Sequence, residues 1–199
     1  MNKDFWKNKK VFLTGHTGFK GSWTSIMLNL MGANVKGYSL EPNSKPNLFN
    51  IARVNEEMES EIGDVRDYNK LYKSIKKFNP DILIHMAAQP LVRYSYQNPV
   101  ETYSTNVMGT LNVLECSRYC SNLKSIVIIT SDKCYENKEI DYSYKETDPM
   151  GGFDPYSSSK GCCELLVSSY RRSFFNNNSN AFLATARAGN VIGGGDWSE

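Results

Sequence analysis

Thr14-Gly15-His16-Thr17-Gly18-Phe19-Lys20-Gly21 decides the fold. It joins the apolar run Val11-Phe12-Leu13-Thr14, a short strand, to Phe19–Met31, which carries helical periodicity. Trp23, Ile26, Met27 and Leu30 repeat at three- and four-residue steps, which predicts one buried helical face. Gly32 follows where a left-handed cap residue belongs. A glycine-rich strand-to-helix turn is suited to a pyrophosphate, which needs close backbone approach, free N–H groups and the positive end of a helix. Gly15 permits the tight turn, Gly18 removes a side chain from the path of the phosphates, and Gly21 lets the helix pack close to the sheet. The spacing is G-x-x-G-x-x-G, so Thr17, Phe19 and Lys20 are the intervening candidates for cofactor contact, Lys20 by reaching a phosphate.

The same alternation continues along the chain. Strands are expected at Asn34–Leu40, around Met58–Ile62, and at Asp81–Met86, Ser125–Thr130 and Ala181–Arg187. Helices are expected at Asp67–Phe78, Pro99–Cys120 and Pro155–Phe175, the second packing through Val107, Gly109, Leu111 and Leu114. Glu41–Pro46 and Glu136–Phe153 read as loops, and Asn176–Asn180 as a polar break. Repeated βα units imply an α/β protein with a doubly wound Rossmann fold: a parallel sheet with helices on both faces.

Ligands of such sheets bind beyond the carboxyl ends of the strands. Two further segments fall there. Gly63-Asp64-Val65 offers a carboxylate to an adenine amino group, and Ala87-Ala88-Gln89 offers small residues that leave room for a cofactor. An acid that holds the ribose is expected roughly 20 residues past the glycine turn. Tyr38-Ser39-Leu40-Glu41 occupies that strand end, with Glu41 slightly late and no arginine to receive a 2′-phosphate, which favours NAD over NADP.

Tyr156-Ser157-Ser158-Ser159-Lys160 opens the last helix and sets Tyr156 and Lys160 four apart, on one face. Tyrosine titrates near about 10, and an adjacent ammonium is expected to lower that value and make the phenol a usable base. Lys160 is also placed to bond a nicotinamide ribose. Thr130-Ser131-Asp132-Lys133-Cys134-Tyr135 ends the fifth strand, where Ser131 would bond the reacting hydroxyl. A simple dehydrogenase needs only Ser131, Tyr156 and Lys160. Asp132 and Lys133 add an acid and an amine, and so suggest proton transfers beyond hydride transfer.

Composition excludes much else. Hydrophobic residues make up 40% and charged residues 22%, with a net charge of +2, which suits a globular domain and not a disordered chain. No clustered basic run marks a nucleic-acid binder, and no apolar stretch has membrane-spanning length. The five cysteines fit no disulfide framework and, with two histidines, no metal site, which points to a reducing, cytoplasmic setting.

These segments resemble the CDP-glucose 4,6-dehydratase family of extended short-chain dehydrogenase/reductases. The likeness lies in Gly15 to Trp23, Ala87 to Ser95, Thr130 to Asn137, Asp148 to Gly152 and Arg187 to Trp197. Ser131-Asp132-Lys133 discriminates most, since related sugar-nucleotide dehydratases carry Thr-Asp-Glu there. The resemblance implies bound NAD, CDP-glucose as substrate, Tyr156 as base at C4, and Asp132 as the acid that protonates the departing C6 hydroxyl. It places Lys133 where relatives keep a C5 base, Asn106 as an organiser of the site, and Arg93, Ser131 and Asn190 near the substrate. It also implies a homo-oligomer. Family members continue into a smaller lobe that grips the nucleotide, so residues 1–199 are expected to be one NAD-binding domain of a longer enzyme without its C-terminal substrate lobe. A nucleotide-sugar 4-epimerase, another 4,6-dehydratase and a silent NAD-sensing module are the competing readings. Asp132 and Lys133 weigh against the epimerase, Lys133 against dehydratases bearing glutamate, and the intact Ser131, Tyr156 and Lys160 against the sensor.

Overall fold

Six strands, all parallel, lie in the order β3-β2-β1-β4-β5-β6. The structure is a computed structural model that describes residues 3–176 and 179–197. Along the chain the elements are α1 (Lys3–Trp6), β1 (Lys10–Thr14), α2 (Phe19–Leu30), β2 (Asn34–Ser39), α3 (Leu48–Ile51), β3 (Glu59–Ile62) and α4 (Tyr68–Phe78). They continue as β4 (Ile82–His85), α5 (Val92–Gln97), α6 (Pro99–Tyr103), α7 (Gly109–Ser117), β5 (Ser125–Ile129), α8 (Pro155–Ser173) and β6 (Phe182–Ala186). The polar break at 176–180 and the closing run at 193–199 each fall partly outside the described residues.

The order reverses between β1 and β4, and there the two halves of the sheet splay to leave a crevice at their carboxyl ends. Alternation along β1 divides the core in two. Phe12 points to the face covered by α4, α7 and α8, with Leu71, Ile75, Leu83, Val113, Leu114 and Val167. Val11 and Leu13 point to the other face, with Leu28, Met31, Val35 and Ile82. Each such buried aliphatic side chain contributes about 1.5–3 kcal/mol. The second face is covered unevenly: α2 lies over β1 and β2, while Val127 and Ile129 of β5 stay half-buried and Phe182 of β6 is 80% exposed.

Two sequence expectations need correction. The buried stripe of α2 is Gly21, Ser22, Ser25 and Leu28. Trp23, Met27 and Leu30 are exposed and Ile26 is half-buried. Close approach to the glycine turn selected small residues over greasy ones, and the serines bury without loss. Ser22 Oγ donates to His16 O (3.1 Å) and Ser25 Oγ to Gly21 O (2.9 Å). The expected helix Pro99–Cys120 is one rod from Pro99 to Ser117, interrupted by a π-helical turn at Ser104–Met108. Asn106, Gly109, Thr110, Val113 and Leu114 face inward, and Val107 and Leu111 are half-buried.

Both histidines are buried. Burial lowers His16 to about 4 despite a backbone hydrogen bond at Tyr38, and burial, then the Lys160 charge, lowers His85 to about 3. Each is therefore neutral when folded and takes up a proton on unfolding below its ordinary 6.5. Stability from this source is full above pH 6.5 and is lost as pH falls toward the folded values. Between pH 6 and 5 the two histidines predict a fall of about 2.4 kcal/mol in unfolding free energy. Urea titrations at several pH values check this, and a stability unchanged from pH 7 to 5 would contradict it.

Candidate functional site

A cleft of about 680 Å³ runs along the carboxyl ends of the strands. It is lined by the glycine turn, the end of β2 (Ser39 to Asn43), Asp64, Ala87, Ala88, the end of β5, Tyr156, Lys160 and Asn190. The turn is built by backbone contacts. Gly15 has φ +78°, and a Cβ there would lie 2.7 Å from the Ala87 nitrogen. A Cβ on Gly21 would lie 2.0 Å from the Gly15 oxygen, so this glycine packs the helix against the turn and not, as expected, against the sheet.

Gly18 is different. Its φ is −78°, which any residue adopts, and an added Cβ would meet only the Gly15 oxygen, at 3.4 Å. Nothing in the chain demands glycine at 18, and beyond it lies the open cleft. It also stands at the start of α2, which has no side-chain cap and no acid in its first turn. The free N–H groups there, the positive helix end, the half-buried Lys20 and the buried Lys160 all favour an anion. Burial pushes both lysine pKa values down. The donor set and the bare backbone thus fit a dinucleotide pyrophosphate.

At the β2 end, Thr17 Oγ1 donates to Leu40 O (2.8 Å) and pairs with Ser39 Oγ (2.9 Å), while Glu41 and Asn43 line the wall beyond. Asp64 lines the cleft too, with Val65 beside it. Its carboxylate is held by Arg66, which donates from Nε (3.0 and 2.9 Å) and Nη2 (2.6 Å) and keeps the acid below its ordinary pKa. Sequence reading missed Arg66, Ser39 and Thr105, which carry no motif of their own.

The β5 end is fixed by β6: Thr130 N donates to Ala186 O and Asp132 N to Ala188 O. Ser131 then caps a short 3-10 turn, Asp132–Cys134, by accepting from Lys133 N (3.2 Å). Its hydroxyl donates to Asp132 Oδ1 (3.1 Å), and Lys133 Nζ stands 3.8 Å from the same oxygen. Behind the turn, Glu164 is buried and bound by Arg187 (2.9 Å), Thr185 (3.0 Å) and Thr130. Burial alone would raise its pKa, and these three donors, Arg187 foremost, hold it below its ordinary value. Arg187 also reaches Tyr135 Oη (2.8 Å), tying β6 to the loop after the turn.

Asp154 caps α8, accepting from Ser157 N (2.9 Å), and so sets Tyr156 and Lys160 at the cleft. The Lys160 ammonium is 6.0 Å from the Tyr156 ring centre and donates to Ile129 O (3.3 Å). The expected lowering of the Tyr156 pKa is not found: burial raises it, the hydrogen bond with Ser131 opposes, and Asp132 adds to the rise. The ammonium is spent on a carbonyl instead of the phenol.

Two expected site residues lie outside the cleft lining, and Asn106, expected to order the site, is enclosed behind it. Gln89 is buried but outside the cleft lining, where its side chain bonds Leu91 N (2.6 Å), Leu91 O (3.1 Å) and Thr102 Oγ1 (2.9 Å) and so folds the loop before α5. Arg93 stands exposed on α5, outside the cleft lining. Asn106 is fully enclosed, accepting from Gln89 N (2.8 Å) and donating to Gln89 O (3.1 Å) and Ser159 Oγ (2.8 Å). Among the described residues no cluster of His, Cys, Asp and Glu could hold a metal, and no helix is long and apolar enough to cross a membrane.

Comparison with known proteins adds a family. The sequence model described as GDP-mannose 4,6 dehydratase matches residues 12–187. A CDP-glucose 4,6-dehydratase from Salmonella typhimurium is 58% identical across 100% of this chain and 56% of its own length. A dTDP-D-glucose 4,6-dehydratase from Dictyostelium discoideum is 30% identical over 100% of this chain and 47% of its own. The chain spans about half the length of these curated relatives. Among solved structures, the Thermus thermophilus UDP-glucose 4-epimerase complex with NAD is 25% identical, with a TM-score of 0.75 over 89% of this chain and 54% of that one.

The glycine geometry makes a paired prediction. Gly21→Ala drives a methyl into the Gly15 carbonyl and should cost about 1–3 kcal/mol or more of stability. Gly18→Ala has room and should stay within about 1 kcal/mol of the original. Urea unfolding of both variants checks the ranking, and equal losses would contradict it.

Proposed function

Because the chain belongs to the GDP-mannose 4,6-dehydratase family, we propose that it forms the cofactor-binding and catalytic part of an NAD-dependent CDP-glucose 4,6-dehydratase. The observation that carries the reading is the meeting of Ser131, Asp132 and Lys133 with Tyr156 and Lys160 on one cleft wall. That wall faces a turn whose Gly18 leaves bare backbone for a pyrophosphate. The 58% identity to a CDP-glucose enzyme supports the choice of substrate.

Nicotinamide bound in the cleft would supply the hydride acceptor for C4 and the donor for C6. The chain's own residues handle the protons. Tyr156 takes the C4 hydroxyl proton as that carbon is oxidised, with Ser131 bonded to the same oxygen. The raised phenol pKa makes this step depend on a cation near the oxygen, so Lys160 must turn from Ile129 O toward the phenol or the ribose. The C4 ketone acidifies C5. A base removes the C5 proton, and Lys133 has the place for it once its amine is neutral. Asp132 protonates the departing C6 hydroxyl, which leaves as water. Return of the hydride to C6 and of a proton to C5 would give CDP-4-keto-6-deoxyglucose with the cofactor unchanged. Asn190, on the cleft rim, has the position for a substrate contact. The part of the relatives' length that this chain does not span would supply the grip on cytidine, and the free thiols agree with a cytoplasmic setting.

Incubation of the full-length protein, of which this chain is proposed to be the cofactor-binding and catalytic part, with CDP-, dTDP- and GDP-linked sugars, read by the alkaline absorbance of the 4-keto-6-deoxy product, tests the reading. Product is expected from CDP-glucose, and product from another nucleotide sugar alone would overturn the assignment. Tyr156→Phe should lower turnover by at least about a thousandfold while NAD binding persists. Near-normal turnover in that variant would remove Tyr156 from the mechanism.

A further inference from the structure

A buried chain of hydrogen bonds links the glycine turn to the start of α8, and its polarity can be assigned atom by atom. It begins at Thr14, the last residue of β1. Thr14 Oγ1 accepts from Met86 N and Ala87 N, both at 3.1 Å, which fills its two lone pairs. Its single proton therefore goes to His85 Nδ1, 2.7 Å away. At the far side of the ring, His85 Nε2 lies 3.1 Å from Thr110 Oγ1. Thr110 has already given its proton to Asn106 O (2.6 Å), so Nε2 must carry a hydrogen and donate. Two independent ends demand the same tautomer. An imidazolium would present Thr14 with three donors and no acceptor.

The chain continues without a break. Asn106 lies in the π turn, and its carbonyl accepts from Thr110 and also from Cys163 Sγ (3.1 Å) of α8. Its side chain donates to Ser159 Oγ (2.8 Å), and Ser159 Oγ donates to Tyr156 O (2.6 Å). The route thus runs from the backbone that forms the cofactor side of the cleft to the backbone that carries the tyrosine.

We propose that His85 is a positioning residue: as a neutral Nε2–H imidazole it sets the distance between the glycine turn and Tyr156. Burial and the neighbouring Lys160 ammonium keep the ring neutral, in agreement with the hydrogen-bond polarity. The π turn has a place in this account. It holds Asn106, whose carbonyl takes the Thr110 proton and whose side chain carries the route on to Ser159. The proposal deepens the catalytic reading of Tyr156, and its first test is independent of that reading.

Long-range ¹H–¹⁵N correlation on the histidine-labelled protein reads the tautomer, with only two histidines to assign. His85 should show a protonated Nε2 and a bare Nδ1, unchanged from pH 8 to 5. A proton on Nδ1, or a midpoint near 6.5, would overturn the proposal. The second arm breaks the chain beyond the ring. Thr110→Val keeps the shape and removes the hydroxyl. It should lower kcat for the dehydration about tenfold with KM within twofold, and Thr110→Ser should restore kcat. A Thr110→Val enzyme with unchanged kcat, or a serine variant as slow as the valine, would refute the positioning role. Absence of turnover in the original protein would sink the catalytic reading instead, and the tautomer would then decide the proposal alone.

Discussion

At Gly15 three pieces of backbone come within van der Waals reach: the end of β1, the first turn of α2 at Gly21, and the end of β4 at Ala87. No side chain fits between them. This contact fixes where α2 begins and therefore where its unpaired N–H groups point. It also places the β4 end beside the turn, which gives the cleft its floor. Thr14, one residue earlier, takes the two β4 amide protons and passes its own to His85. The same few residues thus shape the anion site and begin the polar route to the tyrosine helix.

The wall proposed for catalysis is built differently. Here polar side chains carry the geometry, at some cost in burial. Glu164 is enclosed and would be expensive alone, but Arg187, Thr185 and Thr130 satisfy it. That cluster joins α8, β5 and β6 directly behind Ser131. Asp132 and Lys133, by contrast, stay at the surface of the cleft, where an acid and an amine can exchange protons with a substrate. The division is physical: the groups that hold position are buried and paired, and Asp132 and Lys133, proposed for proton transfer, are accessible.

Much of this was legible in the residues. The strand-helix alternation, the glycine turn and the carboxyl-end placement of Asp64, Ala87 and Ser131 follow from local pattern and from the rules of parallel sheets. What escaped depends on contacts between distant segments. Trp23, Met27 and Leu30 carry helical periodicity, yet the packed face of α2 is Gly21, Ser22, Ser25 and Leu28, because the turn leaves no room for larger groups. Val107 and Leu111 took the place of Asn106 and Thr110 in the expected packing face, because apolar character marked them while the face that is buried is polar and satisfied by hydrogen bonds to distant segments. Gln89 sits in a motif segment but spends its amide on Leu91 and Thr102. The upward shift of Tyr156 could not be read from a four-residue spacing either, since it arises from burial and from the nearby Asp132 charge, while Lys160 donates to the Ile129 carbonyl. One signal was present and unread: His85 closes an otherwise apolar strand, and a polar residue buried there implies partners on both ring nitrogens.

The central claim is that one cleft oxidises and reduces the same sugar, with the glycine turn and Tyr156 held in register. Conversion of CDP-glucose deuterated at C4 tests it most directly. The account predicts that the deuterium reappears on C6 of the same product molecule, established by mixing labelled and unlabelled substrate. Loss of the label to solvent, or its transfer to a different substrate molecule, would contradict it.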